Sequence, residues 1–215
     1  MSTARLYTIL DLGYVREADA VSVTASLLAG GADILQLRAK TYDLATIERV
    51  ARKLLPLCRA AGVPFILNDH PALAAELGAD GVHLGQDDGS LAEARAFFQS
   101  AFPAPHSPFL FGRSTHSLAQ ARAALAEGFD YIGFGPLFPT PTKAGRPAIG
   151  LQEIATMQRD VGEKIPAFCI GGITPETLPQ VLAAGARRVV IVSALLQAPD
   201  IQAAASAVKT SLSAD

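Results

Sequence analysis

The sequence predicts an α/β fold, a single (β/α)8 barrel of the TIM type over residues 1–215, and three observations carry that reading. Eight short apolar runs alternate with longer stretches of helical spacing from one end of the chain to the other. A motif that closes a helix and opens a strand recurs four times, as Gly31-Ala-Asp-Ile-Leu, Gly78-Ala-Asp-Gly-Val, Gly128-Phe-Asp-Tyr-Ile and Gly185-Ala-Arg-Arg-Val. Its first glycines lie 47, 50 and 57 residues apart. Each interval holds two strands and two helices, so four such units make eight. No Gly-x-Gly-x-x-Gly follows the first apolar run, which disfavours an open doubly wound sheet. Barrels of this kind usually have about 250 residues, so the loops here must be short. No linker or second domain is visible.

Taken in order, the apolar runs predict strands over residues 5–10, 34–38, 65–68, 81–84, 109–114, 131–134, 167–170 and 189–192. Helical spacing covers 20–29, 44–61 (apolar at Leu44, Ile47, Val50, Ala51, Leu54 and Leu55), 118–127 and 178–184. Ser117 and Thr174 read as N-caps, with Pro175 in the first turn after Thr174. Gly62, Gly78, Gly128 and Gly185 sit where helix C-caps end.

Hydrophobic residues make up 50% and charged residues 18%, enough for a sizeable core without disulfides. A formal net charge of −2 and a pI near 6.1 argue against a nucleic-acid or membrane-surface protein, which needs a basic face. Cys58 and Cys169 fall in a helix and a strand, and two buried thiols in a reducing compartment are expected. The N-terminal residues lack a signal-peptide stretch, and no run approaches the roughly 20 apolar residues of a membrane span. A soluble, cytoplasmic protein is the expectation, with a homo-oligomer left open.

In a barrel, chemistry belongs at the C-terminal ends of the strands. Alternation after the second strand puts Gln36, Arg38 and Lys40 on one side, and two cations so close repel unless an anion joins them. The plain alternative pairs Arg38 with a core carboxylate and leaves Lys40 exposed. Asn68 and Asp69 end the third strand, and His83 with Asp87 and Asp88 belong to the fourth strand and its loop. Asp69 and one of Asp87/Asp88 can approach each other, which calls for a proton or a cation between them; beside phosphates Mg2+ is the natural one. The alternative makes Asp69 and Asp88 helix caps. Ser114 or Ser117 can bond a phosphate after the fifth strand.

The sixth strand leads into Gly133-Phe-Gly-Pro-Leu-Phe-Pro-Thr-Pro-Thr-Lys143. Its glycines allow close approach to a ligand or positive φ, and its prolines stiffen it. Thr140, Thr142 and Lys143 suit a phosphorylated ligand; otherwise this is a stiff connector with a solvated lysine. Gly171 and Gly172 follow the seventh strand and Val192 and Ser193 the eighth, where phosphate sites of this fold often lie. The four histidines show no metal-ligand spacing, and His83 reads as a structural polar residue at the barrel end.

Together, Gln36-Leu-Arg38-Ala-Lys40, Asn68-Asp69, Gly81-Val-His-Leu-Gly-Gln-Asp-Asp88, Ser114-Thr-His-Ser117, Gly135-Pro-Leu-Phe-Pro-Thr-Pro-Thr-Lys143 and Ile170-Gly-Gly-Ile173 resemble the thiamine phosphate synthase family in order and spacing. The resemblance runs from about Leu6 to the last helix. It implies a Mg2+-dependent transferase that joins a pyrimidine methyl diphosphate to a thiazole phosphate and releases diphosphate. Gln36, Arg38, Lys40, Asn68, Ser114 and Lys143 would hold the pyrimidine diphosphate, with catalytic roles for Arg38, Lys40, Ser114 and Lys143. Asp69 and Asp88 would bind the metal. Thr140, Pro141, Thr142, Gly172, Val192 and Ser193 would hold the thiazole phosphate. The family's reaction is taken to be dissociative, diphosphate leaving before the thiazole nitrogen attacks.

Two residues depart from the family pattern. His70 stands where Arg is frequent, and Arg113 stands where a small or apolar residue is usual. Arg113 replaces the lost charge if it points into the mouth and means little if it points out. The rival readings are a thiazole tautomerase, a silent phosphate-binding barrel and a sugar-phosphate isomerase. The first needs neither the Asp69/Asp88 pair nor the Thr-Pro-Thr-Lys loop.

Overall fold

A computed structural model describes residues 1, 3–101, 109–140 and 147–213. Eight parallel strands close into a barrel in sequence order, and β8 pairs back onto β1. They are β1 (Leu6–Asp11), β2 (Ile34–Arg38), β3 (Phe65–Asn68), β4 (Gly81–Leu84), β5 (Leu110–Thr115), β6 (Tyr131–Phe134), β7 (Ala167–Ile170) and β8 (Val189–Ile191). Between and after them run α1 (Ala20–Ala29), α2 (Leu44–Ala61), α3 (Pro71–Leu77), α4 (Leu91–Ala101), α5 (Leu118–Glu127), α6 (Ile154–Met157), α7 (Leu178–Ala183), α8 (Ser193–Leu196) and α9 (Ile201–Ser213). The expected strands all form. β1 and β5 each start and end one residue later than the apolar runs suggest, and β8 stops one residue earlier. That single residue on β1 matters for the site.

Strand alternation divides the core in two. Leu6, Leu10, Leu35 and Leu37 point outward under the helices, while Tyr7, Ile9, Ile34, Ile66, Tyr131, Phe168 and Val190 fill the barrel interior. Helix α2 buries Ile47, Val50, Ala51, Leu54, Leu55 and Cys58 at the spacing of one face, so Leu44, 57% exposed, is the one predicted apolar position left outside. Asp43 caps its start by accepting the Thr46 N–H, and Gly62 ends it at φ +66. Ser117 caps α5 as expected, accepting from Gln120 N–H. Thr174 differs: its turn precedes α7, which starts at Leu178 with Thr177 at the cap position, so Pro175 lies outside the helix. Both cysteines are free and buried, and burial pushes their thiols up to about 12. Among the described residues no helix is long and apolar enough to cross a membrane.

The recurring Gly-x-Asp has a structural reason that pattern alone does not give. Asp33, Asp80 and Asp130 each donate a backbone N–H to the first strand of their unit, to Leu6, Phe65 and Phe111, at 2.9 Å. Each then accepts that strand's N–H on its own carboxylate: Leu6 at 2.9 Å, Phe65 at 2.8 Å and Phe111 at 2.8 Å. The carboxylate thus clamps the start of one strand to the start of the next. In the fourth unit the position is Arg187, which has no acceptor to offer. Burial alone would raise the Asp33 carboxyl, but the Leu6 N–H and the Lys209 ammonium hold it below its ordinary value.

Replacing Asp130 by Ala leaves the Phe111 N–H without this acceptor, so Asp130→Ala should cost about 1–2 kcal/mol in urea unfolding. Asp130→Asn keeps an acceptor oxygen and should cost less than half of that. Equal losses for both variants would mean that charge rather than the clamp is what matters.

Candidate active site

A cleft opens at the C-terminal ends of the strands. Tyr7, Ile9, Ile132, Phe168, Ile170 and Val190 line its apolar part. Gln36, Arg38, Asn68 and Ser114 line one polar wall, and Thr140, Gly172, Val192 and Ser193 also face it. Those are eight of the residues expected at the site, from six different strand ends. Pro141, Thr142 and Lys143 lie outside the described residues.

Arg38 is paired with a core carboxylate, the alternative that the sequence left open. The partner is Asp11, 2% exposed, the last residue of β1 and outside the run assigned to that strand. Asp11 takes Arg38 Nη1 on Oδ2 and the Gly13 N–H on Oδ1 at 2.9 Å. The guanidinium is therefore fixed at one end while it lines the cleft.

Lys40 is not simply exposed. Its ammonium pairs with Asp69 and lies 3.9 Å from Asp88 Oδ2. Of the two candidate partners for Asp69, Asp88 is the one brought in, and Asp87 is exposed. Burial and the hydrogen-bonded contact with Asp88 push the Asp69 carboxyl up to about 6, against the pull of Lys40. The cap alternative fails for both acids. His70 occupies the cap position of α3 without a side-chain bond, and Ser90 with Glu93 makes a capping box for α4. Asp88 instead accepts the Gly85 N–H at 2.8 Å and holds its own loop. Asp69 sits at φ +66, a left-handed conformation uncommon outside glycine, which Asp tolerates better than most.

The pair fits a hard cation. Two carboxylates share one place, the Lys40 ammonium beside them marks where positive charge is favoured, and burial with the neighbouring carboxylate raises the pKa of Asp69. Among the described residues no group of three or more His, Cys, Asp and Glu side chains could cage a metal.

Ser114, rather than Ser117, faces the cleft, and its Oγ lies 3.0 Å from His83 Nε2. Arg113 points the other way, as alternation on β5 requires. It donates to Gly89 O at 2.8 Å and Gln86 O at 3.2 Å and stacks over Phe129. Arg113 does not replace the charge missing at His70, but it fastens the loop that carries Asp88. His70 does not replace it either, since burial and nearby Lys40 lower its pKa.

The glycines serve the chain itself. Neither Gly133 nor Gly135 takes positive φ. A Cβ on Gly135 would lie 2.0 Å from Ile170 O, and one on Gly171 2.4 Å from Pro136 Cα. Leu137 and Phe138 donate to Ile170 O and Gly171 O at 2.8 and 3.0 Å, so the loop after β6 lies flat on the loop after β7. A short helix, α8, follows β8 and starts at Ser193.

Sequence reasoning missed Asp11, Tyr7, Tyr131 and His116. Extending the first strand by one residue would have put Asp11 on the same face as Tyr7 and Ile9. The two tyrosines read as apolar strand residues, and their hydroxyls were overlooked. His116, whose Nδ1 lies 2.5 Å from Gly135 O, carried no signal beyond its place in a motif.

The family model described as thiamine monophosphate synthase matches residues 6–195. The thiamine-phosphate synthase of Thermus thermophilus is 49% identical over 189 residues, 88% of this chain and 87% of that one. The thiamine-phosphate synthase of Bordetella avium is 47% identical over 184 residues, 83% and 82% of the two chains. The solved structure of a thiamine phosphate pyrophosphorylase from Pyrococcus furiosus superposes with a TM-score of 0.83 at 29% identity, covering 97% of this chain and 95% of that one. With the match running through all eight strands and every loop that lines the cleft, the chain belongs to the thiamine monophosphate synthase family.

Proposed function

We propose that this thiamine-phosphate synthase, a transferase, works by a dissociative substitution in which its polar wall stabilises the departing diphosphate and its cleft aligns the two substrates. The observation that carries the reading is the cluster of Arg38, Lys40, Asp69 and Asp88 beside the wall of Gln36, Asn68 and Ser114. It sets cations and a cation site against a neutral, hydrogen-bonding pocket. A diphosphate needs the first and an aminopyrimidine the second.

No general base is required, because the attacking thiazole nitrogen already carries a lone pair. The protein's work is to position and to stabilise charge. Gln36, Asn68 and Ser114 would hold the pyrimidine, and Arg38, braced by Asp11, and Lys40 would meet the diphosphate. Asp69 and Asp88 would hold Mg2+, whose charge favours departure of the diphosphate. Thr140, Pro141, Thr142, Gly172, Val192 and Ser193 would seat the thiazole phosphate. Lys143 would supply a further cation to the leaving group.

Formation of thiamine phosphate from both substrates should need added Mg2+ and stop with EDTA. A proton on Asp69 competes with the metal. As pH falls below about 6 the half-saturating Mg2+ concentration should therefore rise, up to about tenfold per pH unit. A flat requirement between pH 5 and 7 would remove Asp69 from the metal site.

Lys143→Ala should lower kcat by about 10²–10³ while KM for the pyrimidine diphosphate changes little, because its contact strengthens as the leaving group gains charge. An effect confined to KM would make Lys143 a binding residue only.

A further inference from the structure

The last residues of β1 and β2 form a pair, and only its second member lines the cleft. Asp11 and Arg38 are register partners on these parallel strands, so their side chains leave the same face of the barrel next to each other. Arg38 Nη1 donates to Asp11 Oδ2, and the two side chains are 16% and 3% exposed. Asp11 Oδ1 accepts the Gly13 N–H at 2.9 Å. The backbones are tied as well. Leu12 N–H donates to Arg38 O at 2.9 Å, and Asp11 O accepts the N–H groups of Tyr14 and Val15 at 2.9 and 3.1 Å. A Cβ on Gly13 would lie 3.2 Å from Asp11 Oδ1, so the turn after β1 closes directly over the carboxylate.

The chemistry of these groups leaves no choice of donor. A carboxylate only accepts, and a guanidinium or a backbone N–H only donates. One Asp11 oxygen therefore holds its own turn and the other holds the polar wall. A guanidinium with one nitrogen in such a pair cannot swing on its side chain, and its remaining N–H groups lie in a fixed plane. The pair also has an electrostatic side. The buried carboxylate lies directly behind the cation that would meet the diphosphate, so it repels the anion that Arg38 attracts. Without that charge Arg38 would hold diphosphate more tightly in substrate and product alike. Such uniform tightness does not raise kcat, and it slows departure of the product.

We infer that Asp11 is a positioning residue for the departure of diphosphate, acting through Arg38. It fixes the plane in which Arg38 offers its N–H groups, and its charge moderates the hold of Arg38 on the diphosphate. Orientation of the cation before charge develops on the leaving group favours the transfer. Moderation of its charge lets the released diphosphate go. The two effects come from one carboxylate, which stays behind the wall and out of the cleft. The inference rests on Arg38 meeting the diphosphate, as proposed above.

Three measurements on the whole protein test it. In 15N NMR of the arginines, Arg38, assigned with Arg38→Lys, should show slow rotation about Cζ–Nη and separate Nη signals, which Asp11→Ala should merge. Merged signals in the wild type would overturn the inference. In calorimetric titration with inorganic diphosphate at fixed Mg2+, Asp11→Asn removes the charge at nearly constant volume and should lower Kd about five- to tenfold. A merely structural residue would leave that affinity unchanged or weaken it, and either result refutes the inference. In kinetics, Asp11→Glu keeps the charge but displaces it, so kcat should fall about tenfold while KM for the thiazole phosphate holds. Asn keeps only one of the two bonds; if that variant does not fold, a wild-type kcat in Asp11→Glu overturns the inference by itself. Equal diphosphate affinity in Arg38→Lys and the wild type would take Arg38 out of the diphosphate site, and the functional reading would fall with the inference. Weaker binding in Arg38→Lys with no gain in Asp11→Asn sinks the inference alone.

Discussion

Register is the constraint on which this barrel depends. Its strands are three to six residues long, so each pair makes few ladder bonds, and a slip of one residue would exchange interior and exterior along a whole strand. Asp33, Asp80 and Asp130 fix the pairs β1/β2, β3/β4 and β5/β6 at their starting ends through both N–H and carboxylate. Two residues after Asp33 the alternation delivers Leu35 outward and Gln36 inward; after Asp130 it delivers Tyr131 into the interior. The clamps at one end of the barrel thus select the residues that emerge at the other.

That rigidity lets the rim hold an arrangement that is unfavourable on its own. Asp69 combines a left-handed backbone, partial burial and a carboxylate neighbour, each of which costs free energy. Lys40 offsets part of the cost through its contacts with both acids, and Arg113 and the Gly85 N–H hold the Asp88 loop in place. Strain placed at the end of β3 is balanced by bonds from β5 and the loop after β4. Under the proposed reading, a metal and a diphosphate arriving together would relieve that balance of like and unlike charges.

Much of this was legible in the residues. Apolar runs located all eight strands because interior and exterior faces are both buried in a closed barrel, and the four-fold Gly repeat counted the units correctly. The motif spacing located Gln36, Arg38, Asn68 and Ser114 on one wall. What stayed hidden depends on direction and on three-dimensional partners. The Asp of the repeat read as punctuation, because its carboxylate reaches a strand 15 to 27 residues back in the chain. Arg113 was ambiguous until the pleat of β5 was fixed. Gly171 and Gly172 suggested room for a phosphate, whereas contact between two loops of the protein also demands them. Asp11 was lost to a boundary set one residue short, the ordinary error of reading a strand from its apolar residues alone.

The tyrosines show why a hydrophobic pattern under-reads such a core. Tyr7 and Tyr131 count as apolar in any periodicity and pack as aromatics against Phe168, so they satisfy the pattern completely. Their hydroxyls nevertheless lie at the centre of the barrel, where an unpaired group is costly, and each must find a partner. The partners available are the inward polar ends of β2 and β4. A core that accepts two phenols is thereby committed to a polar path beneath its pocket, from Gln36 on β2 to Ser114 on β5. That path ties Gln36 to Ser114 through Tyr7, Tyr131 and His83, all held by packing. Loops at the mouth can change charge and contacts one residue at a time, but the polar groups of the pocket floor are held in place by the packing of the barrel itself.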